Sequence, residues 1–297
     1  MNIPGCNELE GRTLHSLAFK VLMGAHALAA TGRTARPLND FEVEPMIADI
    51  SGQHGGKRNV KKRIKAFEAA WARLQSDEPG YAQSIADAAL QNDLIEWLRF
   101  HGSMLIGEGI PLVYHYLKNN PAAPIHDEFS HILVDEFQDL NKAEQGVLQL
   151  LGANAEACIV GDDDQSIYSF KHAHPDGIRQ WLEINAGATD LELTECRRCP
   201  TRVVAMANAL IAHNHDRPVP RTLNPRTQNG PGEVDIVQYA TLDHEIRGVT
   251  NIIQRLIATG TPPGDILVLA QRSVIGTPIY KALVPRHSDF DSLVVSG

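Results

Sequence analysis

Two short apolar runs in this chain end in carboxylates. Ile132-Leu133-Val134 leads into Asp135-Glu136, and Cys158-Ile159-Val160 leads into Gly161-Asp162-Asp163-Asp164-Gln165. If both runs are strands of one open parallel sheet, these acids lie beyond the strand carboxyl ends, where such sheets bind their ligands. Acids there suit a hard cation such as Mg²⁺, which is held through one or two carboxylates, waters and substrate phosphates. An adjacent second acid orients or deprotonates an attacking water. One Asp-Glu pair after a strand often marks only a turn. Two such ends, with Gln138 and Gln165 beside them, argue for chemistry.

The elements that must position these acids follow from hydrophobic spacing. Leu14, Leu17, Ala18, Val21 and Leu22 recur at helical intervals, as do Ile64, Phe67, Ala70, Trp71 and Leu74. Leu94, Ile95, Leu98 and then Val113, Tyr116, Leu117 continue the helical reading. Residues 31–56 read as a looser stretch broken by Gly, Pro and Asp. After Asp127 the pattern becomes strand, polar loop, helix, repeated, which means parallel α/β. Residues 142–151 read as a helix with Asn141 as its cap and Glu144 completing a capping box, and residues 175–184 as another. Leu191-Glu192-Leu193 reads as a third strand ending in Thr194-Glu195. A helix from Pro200 to about residue 212 and a Pro/Arg/Asn-rich connection, 213–232, come next. Strands at 233–239 and 265–271, alternating with helices at 242–259 and 277–283, read as the start of a second α/β unit.

At this level of detail the motifs resemble those of UvrD/Rep/PcrA-type superfamily 1 DNA helicases. Val134-Asp135-Glu136-Phe137-Gln138-Asp139-Leu140-Asn141 is similar to their Walker B segment. Val160-Gly161-Asp162-Asp163-Asp164-Gln165-Ser166-Ile167-Tyr168-Ser169-Phe170 is similar to their next motif. Leu193-Thr194-Glu195-Cys196-Arg197-Arg198-Cys199-Pro200 resembles their arginine-bearing motif, and Thr13-Leu14-His15-Ser16-Leu17-Ala18 their early Thr-Phe-His-Ser-Leu segment. The four occur in the family's order.

The resemblance implies roles. Asp135 would coordinate Mg²⁺, and Glu136 would be the general base for ATP hydrolysis. Gln165 would sense the γ-phosphate. Arg198 would be an arginine finger, a group worth orders of magnitude in rate, with Arg197 beside it at the nucleotide. Thr13, His15, Tyr168, Phe170 and Lys171 match positions that face single-stranded DNA, where aromatic faces stack on bases and a cation tracks phosphates. Three positions depart from the family: Arg197 stands where Tyr is usual, Phe170 where Trp is common and Lys171 where Arg is common.

One element is missing from the 297 residues. Phosphoryl-transfer enzymes of this kind cradle phosphates with Gly-x-x-x-x-Gly-Lys-Ser/Thr. The nearest approach, Ser51-Gly52-Gln53-His54-Gly55-Gly56-Lys57-Arg58, has Ser for the first Gly and Arg for the Mg²⁺-binding hydroxyl, and follows no strand. It is rejected as a phosphate loop. Because Thr13 stands almost at the start, the loop and its strand are expected upstream of Met1, and further family motifs beyond Gly297.

The expected fold is therefore α/β: an incomplete RecA-like P-loop NTPase parallel sheet with a helical insertion and the start of a second RecA-like domain. Residues 1–22 and 127–215 would form the first RecA-like domain, 23–126 the mainly helical insertion, and 216–297 the start of the second. The expected function is that of an ATP-dependent DNA helicase and translocase linked to DNA repair, inactive as this chain alone. ATP and Mg²⁺ would be its cofactors. Single-stranded or partly duplex DNA would be its partner, with a complementing polypeptide that bears the phosphate loop. The alternative is a non-enzymatic DNA-binding or regulatory protein, or a gene fragment, on a helicase scaffold.

Composition bounds these readings. A hydrophobic share of 43% with 21% charged residues excludes a disordered, collagen-like or disulfide-scaffold chain. The net charge of −9 argues against coating nucleic acid by bulk charge. Lys57, Arg58, Lys61, Lys62, Arg63 and Lys65 form one basic cluster, read equally as a backbone contact for DNA or as a solvated helix start. No secretory start and no membrane-spanning run is visible, and four cysteines suit a reducing cytoplasm. Cys196-x-x-Cys199, a single pair, cannot close a four-ligand zinc site and reads as structural.

Overall fold

Thr13 opens the first helix because its hydroxyl accepts the amide of Ser16, satisfying one orphan donor of α1 (Leu14–Met23). A computed structural model of the chain describes residues 10–75, 84–167, 172–213 and 222–283. The chain divides into two compact units, Met1–Leu191 and Glu192–Gly297.

In the first unit, α1 is followed by α2 (Ala25–Thr31), α3 (Asp40–Ser51), α4 (Lys57–Ala72), α5 (Ile85–Phe100) and α6 (Gly109–Asn119). The stretch read as loose from sequence contains α3. Asn39 and Glu42 form a reciprocal capping box, and Met46, Ile47 and Ile50 are buried. Cap and burial together outweigh the hydrogen bond lost at Pro45. The near-miss phosphate loop is the turn between α3 and α4: Gly55 and Gly56 both take positive φ, and Gly56 is the N-cap of α4.

Two apolar cores result. Leu38, Met46, Ile47, Val60, Phe67, Trp71, Leu90, Leu94 and Leu98 close α3, α4 and α5 upon one another. Ala18, Val21, Leu22, Val113, Leu117, Val147 and Leu151 join α1 and α6 to a later helix, α7 (Lys142–Leu151). The Asn141–Glu144 capping box of α7 is as the sequence suggests.

The α/β part of this unit is small. β1 (His131–Val134) pairs in parallel with β2 (Glu156–Ile159), from His131 opposite Glu156 to Val134 opposite Ile159. The crossover runs through α7, as parallel strands require. Backbone pairing continues past both ends: Val160 N donates to Val134 O at 2.7 Å, and Phe137 N to Val160 O at 3.0 Å. Leu133 is 70% exposed, although parallel sheets usually bury both faces. The helix read at 175–184 is two short pieces, α8 (Asp176–Arg179) and α9 (Trp181–Ile184), divided at Gln180.

The second unit is thinner. β3 (Glu195–Cys196) pairs in parallel with β4 (Asn224–Pro225), and α10 (Thr201–Ile211) follows Pro200. α11 (Leu242–Ala258) and α12 (Ser273–Leu283) bury Ile253, Ile279 and Leu283 between them. The strands expected at 191–193, 233–239 and 265–271 do not form: no ladder partner reaches these segments among the described residues, and Leu193, Ile236 and Leu269 are exposed. An apolar run without a neighbouring strand has nothing to pair its backbone, so the sequence pattern alone does not make a sheet. Among the described residues the architecture is mixed α/β, helix-rich, with two small parallel sheets. Among the described residues no helix is long and apolar enough to cross a membrane.

Candidate functional site

β1 and β2 are neighbours and parallel, so their carboxyl ends deliver the two acidic segments to one edge. Asp135 and Glu136 follow β1 and are exposed. The Glu136 amide donates to Asp135 Oδ1 at 3.0 Å. Glu136 takes a left-handed backbone, φ 52° and ψ 42°, which is costly for a residue with a Cβ. The turn that follows, Phe137–Asp139, is pinned by Phe137, whose buried ring meets Trp181 edge-on at 5.3 Å.

Gln138 ties the edge together, and the sequence singled it out only as a neighbour of the acids. Its side chain is almost wholly buried. Nε2 donates to Glu136 Oε2 at 2.7 Å, while Oε1 accepts the amide of Asp162 at 2.9 Å. Its backbone oxygen accepts from Ser166 Oγ at 3.3 Å. One amide side chain thus holds Glu136 on one side and fixes the start of the second acidic loop on the other. Gly161 makes this approach possible, because a Cβ there would collide with Gln138 Oε1. Gln145 makes a similar link deeper in: its Nε2 donates to Leu140 O at 3.1 Å and to His174 O at 2.7 Å. A Cβ on Gly177 would collide with Gln145 Oε1.

In the second loop the three aspartates have separate duties. Asp162 Oδ1 accepts the Asp164 amide at 3.1 Å, and Oδ2 accepts Gln165 Nε2 at 2.8 Å. Asp163 is buried and accepts Arg179 Nε at 2.7 Å. That hydrogen bond, with the charge of Asp163, raises the Arg179 pKa above its ordinary value. Arg179 has no signal in the sequence, since its partner lies a loop away. The ligand atoms of Asp162, Asp163 and Asp164 lie within 4.8 Å of one another. Both Asp162 oxygens and one of Asp163 are engaged, so a cation here would have to displace those bonds. Asp135 is the better fit: it is exposed, and its Oδ1 accepts its neighbour's amide. A single exposed carboxylate oxygen matches how Mg²⁺ is usually held, with waters and phosphates filling the rest.

Gln165 is exposed at the same edge, held by Asp162. Thr13 is the α1 cap described above, so its hydroxyl is already engaged. His15 is exposed, with Nδ1 3.8 Å from Glu144 Oε1. Tyr168, Phe170 and Lys171 lie outside the described residues. Arg197 and Arg198 belong to the second unit and are exposed, Arg197 Nε lying 3.4 Å from Glu195 Oε1.

The basic cluster is carried by α4. Lys61 pairs with Glu44 at 2.9 Å and Arg63 with Asp87 at 2.7 Å, which leaves part of that charge compensated locally.

Residues 2–183 match the model of the UvrD/REP helicase N-terminal domain family. The chain is similar to DNA helicase II of Haemophilus influenzae, 26% identical over 285 residues that cover 92% of this chain and 38% of the relative. It is 40% identical over 232 residues to DNA helicase II of Escherichia coli, covering 69% of this chain and 30% of that protein. It is 25% identical over 304 residues to the ATP-dependent DNA helicase UvrD1 of Mycobacterium leprae, covering 92% and 38%. The chain thus spans less than half the length of these relatives.

Proposed function

The chain belongs to the UvrD/REP helicase family, and from that premise we propose that it supplies the magnesium-binding and water-activating edge of an ATP-driven DNA motor. The observation that carries this is the join of two parallel strand ends through Gln138, which sets Glu136 and the loop of Gln165 at one edge. On this reading residues 1–22 and 127–215 form the core of a RecA-like domain, with 23–126 as its helical insertion and 216–297 opening a second RecA-like domain. Asp135 would hold Mg²⁺, which supplies charge neutralisation at the nucleotide phosphates. Glu136 takes a proton from water. Gln165 reads the terminal phosphate. Arg198 would be the arginine finger of the complete motor, with Arg197 beside it at the nucleotide. Thr13, His15, Tyr168, Phe170 and Lys171 face single-stranded DNA, along which the complete motor moves. The names of the ATP-dependent relatives support ATP as the nucleotide.

The 297 residues contain no Gly-x-x-x-x-Gly-Lys-Ser/Thr, so we propose that they do not hydrolyse ATP until such a loop is supplied from outside them. Among the described residues β1 pairs with β2 alone, which leaves its other backbone edge open to a further strand. The purified chain, assayed with ATP, Mg²⁺ and single-stranded DNA, should show no hydrolysis above background. Robust hydrolysis that Glu136→Gln abolishes would refute the requirement for an added loop. DNA contact by α4 is tested separately: affinity for an oligonucleotide should fall steeply with salt, and the slope should shrink when Lys61, Lys62 and Arg63 are neutralised. An unchanged slope assigns those charges to solvent.

A further inference from the structure

Among the described residues three other than glycine take a left-handed backbone, and two of them border one cavity. Leu74 has φ 55° and His172 φ 64°; the third is Glu136, at the acidic edge. Such conformations cost free energy, persist only where the surroundings over-determine them, and cluster at binding and reacting sites. Leu74 offsets the strain by burial, since its side chain joins the core of α1, α6 and α7. His172 is only half-buried and belongs to none of the apolar cores, so packing does not account for its backbone.

The cavity has a volume of about 210 Å³ and is lined by Arg73, Gln75, Lys142, His172, Ala173 and His174. All of these residues lie in the first unit. Arg73 and Gln75 leave the end of α4, Lys142 opens α7, and residues 172–174 come after the loop of Gln165. The last segment is strapped to the start of α7. Ala173 bridges Asn141, the His174 amide donates to Leu140 O at 2.8 Å, and Gln145 Nε2 donates to His174 O at 2.7 Å. In a chain of net charge −9, the lining carries an arginine, a lysine and two histidines and no carboxylate. Arg73 Nη2 donates to His172 Nδ1 at 3.1 Å. A guanidinium has no acceptor, so Nδ1 accepts and the neutral ring keeps its proton on Nε2 as a second donor. Burial, and then the charge of Arg73, hold His172 below its ordinary pKa.

We propose that this cavity is a binding site for a phosphate group, held by Arg73, Lys142, His172 and His174. Donors that converge from three chain segments suit a tetrahedral anion with several acceptor oxygens, whereas a planar carboxylate is served by a single guanidinium fork. The volume lies below the ~300–1,000 Å³ of pockets that enclose a whole drug-sized ligand, so the site takes one charged group rather than an entire nucleotide. An anion here also offsets the positive charge that Arg73 and Lys142 bring to one place. The phosphate comes from the backbone of single-stranded nucleic acid or from a free phosphate. The first source rests on the function proposed above, because residues 172–174 continue directly from Tyr168, Phe170 and Lys171 in the sequence; the site itself does not.

The test follows the imidazole signals of the full chain by NMR, with the His172 ring assigned through its loss in His172→Asn. Asn tolerates a left-handed backbone, so this variant removes the ring without the conformation. Inorganic phosphate, titrated at constant ionic strength, should shift the His172 and His174 rings along a saturable curve that chloride does not reproduce. Arg73→Gln and His172→Asn should each weaken phosphate binding about tenfold, while Arg99→Gln on α5 leaves it unchanged. An oligothymidylate that competes for the same shifts identifies a nucleic-acid backbone as the source; phosphate binding without competition identifies a free phosphate and leaves the site standing. No saturable shift with either probe, an equal shift with chloride, or binding that survives both Arg73→Gln and His172→Asn would overturn the proposal.

Discussion

The helices α3, α4 and α5 and the acidic edge beyond β1 and β2 belong to one compact unit, yet different forces hold them. The helices are closed by burial: Leu90, Leu94 and Leu98 are fully covered by Met46, Val60, Phe67 and Trp71, and polar side chains serve mainly as caps. The edge has few apolar contacts to spend. It is ordered by Gln138, Gln145 and Arg179, by two glycines that permit close approach, and by a strained backbone at Glu136. Burial is non-directional and large, whereas each hydrogen bond contributes only about 0.5–1.5 kcal/mol net but fixes an orientation. A segment that must aim carboxylates therefore relies on the weaker and more directional force.

That contrast is open to attack at four points. The largest effect is expected from Leu94→Ala, which empties a fully buried site in α5. Thermal or denaturant unfolding should show a loss of about 2–5 kcal/mol, with the whole first unit melting earlier. If only local exchange near α5 rises, the helical core is less cooperative than burial implies. Next is Gly161→Ala, which drives a Cβ into the Gln138 amide and should cost about 1–3 kcal/mol. Its signature is faster hydrogen exchange at Asp162 and Glu136 with α5 unchanged. Gln138→Leu removes both bonds at similar volume and leaves the Asp162 amide without its side-chain acceptor, a cost of about 1–3 kcal/mol. Exchange at Asp162 should accelerate most; an unaltered rate there would deny Gln138 its bridging role.

The smallest effect belongs to the helical side. Glu68 on α4 is half-buried, and burial raises its pKa above the ordinary value, the Gly107 amide only partly opposing this. A carboxyl whose folded pKa lies above its unfolded one favours folding at low pH. That contribution is lost as pH rises from the unfolded pKa through the folded one. Glu68→Gln keeps an acceptor for Gly107 and never ionises. It should raise the melting temperature slightly at neutral pH, and the gain should disappear in acid. A gain that persists in acid would mean that packing, not ionisation, separates the two proteins.

The two regions also differ in how far the sequence revealed them. Helical spacing marked α1, α4, α5 and α6 because each needs only its own periodicity to declare a buried face. α3 was hidden by Pro45, since a residue-level breaker masks a cap and core that act together. The strands β1 and β2 were legible because both runs are short, apolar and followed by acids. Those at 191–193, 233–239 and 265–271 looked alike but have no paired neighbour, and strand formation depends on what lies alongside. At the edge, Asp135, Glu136 and Gln165 were visible through their motif. Gln138 stood in the same motif, yet its hydrogen bond to the Asp162 amide exists only once β1 and β2 are side by side. The pairing of Arg179 with Asp163 crosses a loop and left no trace in either segment.

The central claim is that this edge is catalytic once a phosphate loop joins it. The direct measurement is DNA-stimulated ATP hydrolysis after mixing the chain with a polypeptide that carries a strand–Gly-x-x-x-x-Gly-Lys-Thr–helix unit. Either component alone should be silent, and the mixture should show Mg²⁺-dependent hydrolysis that Glu136→Gln abolishes. Hydrolysis by the mixture that survives Glu136→Gln would contradict it.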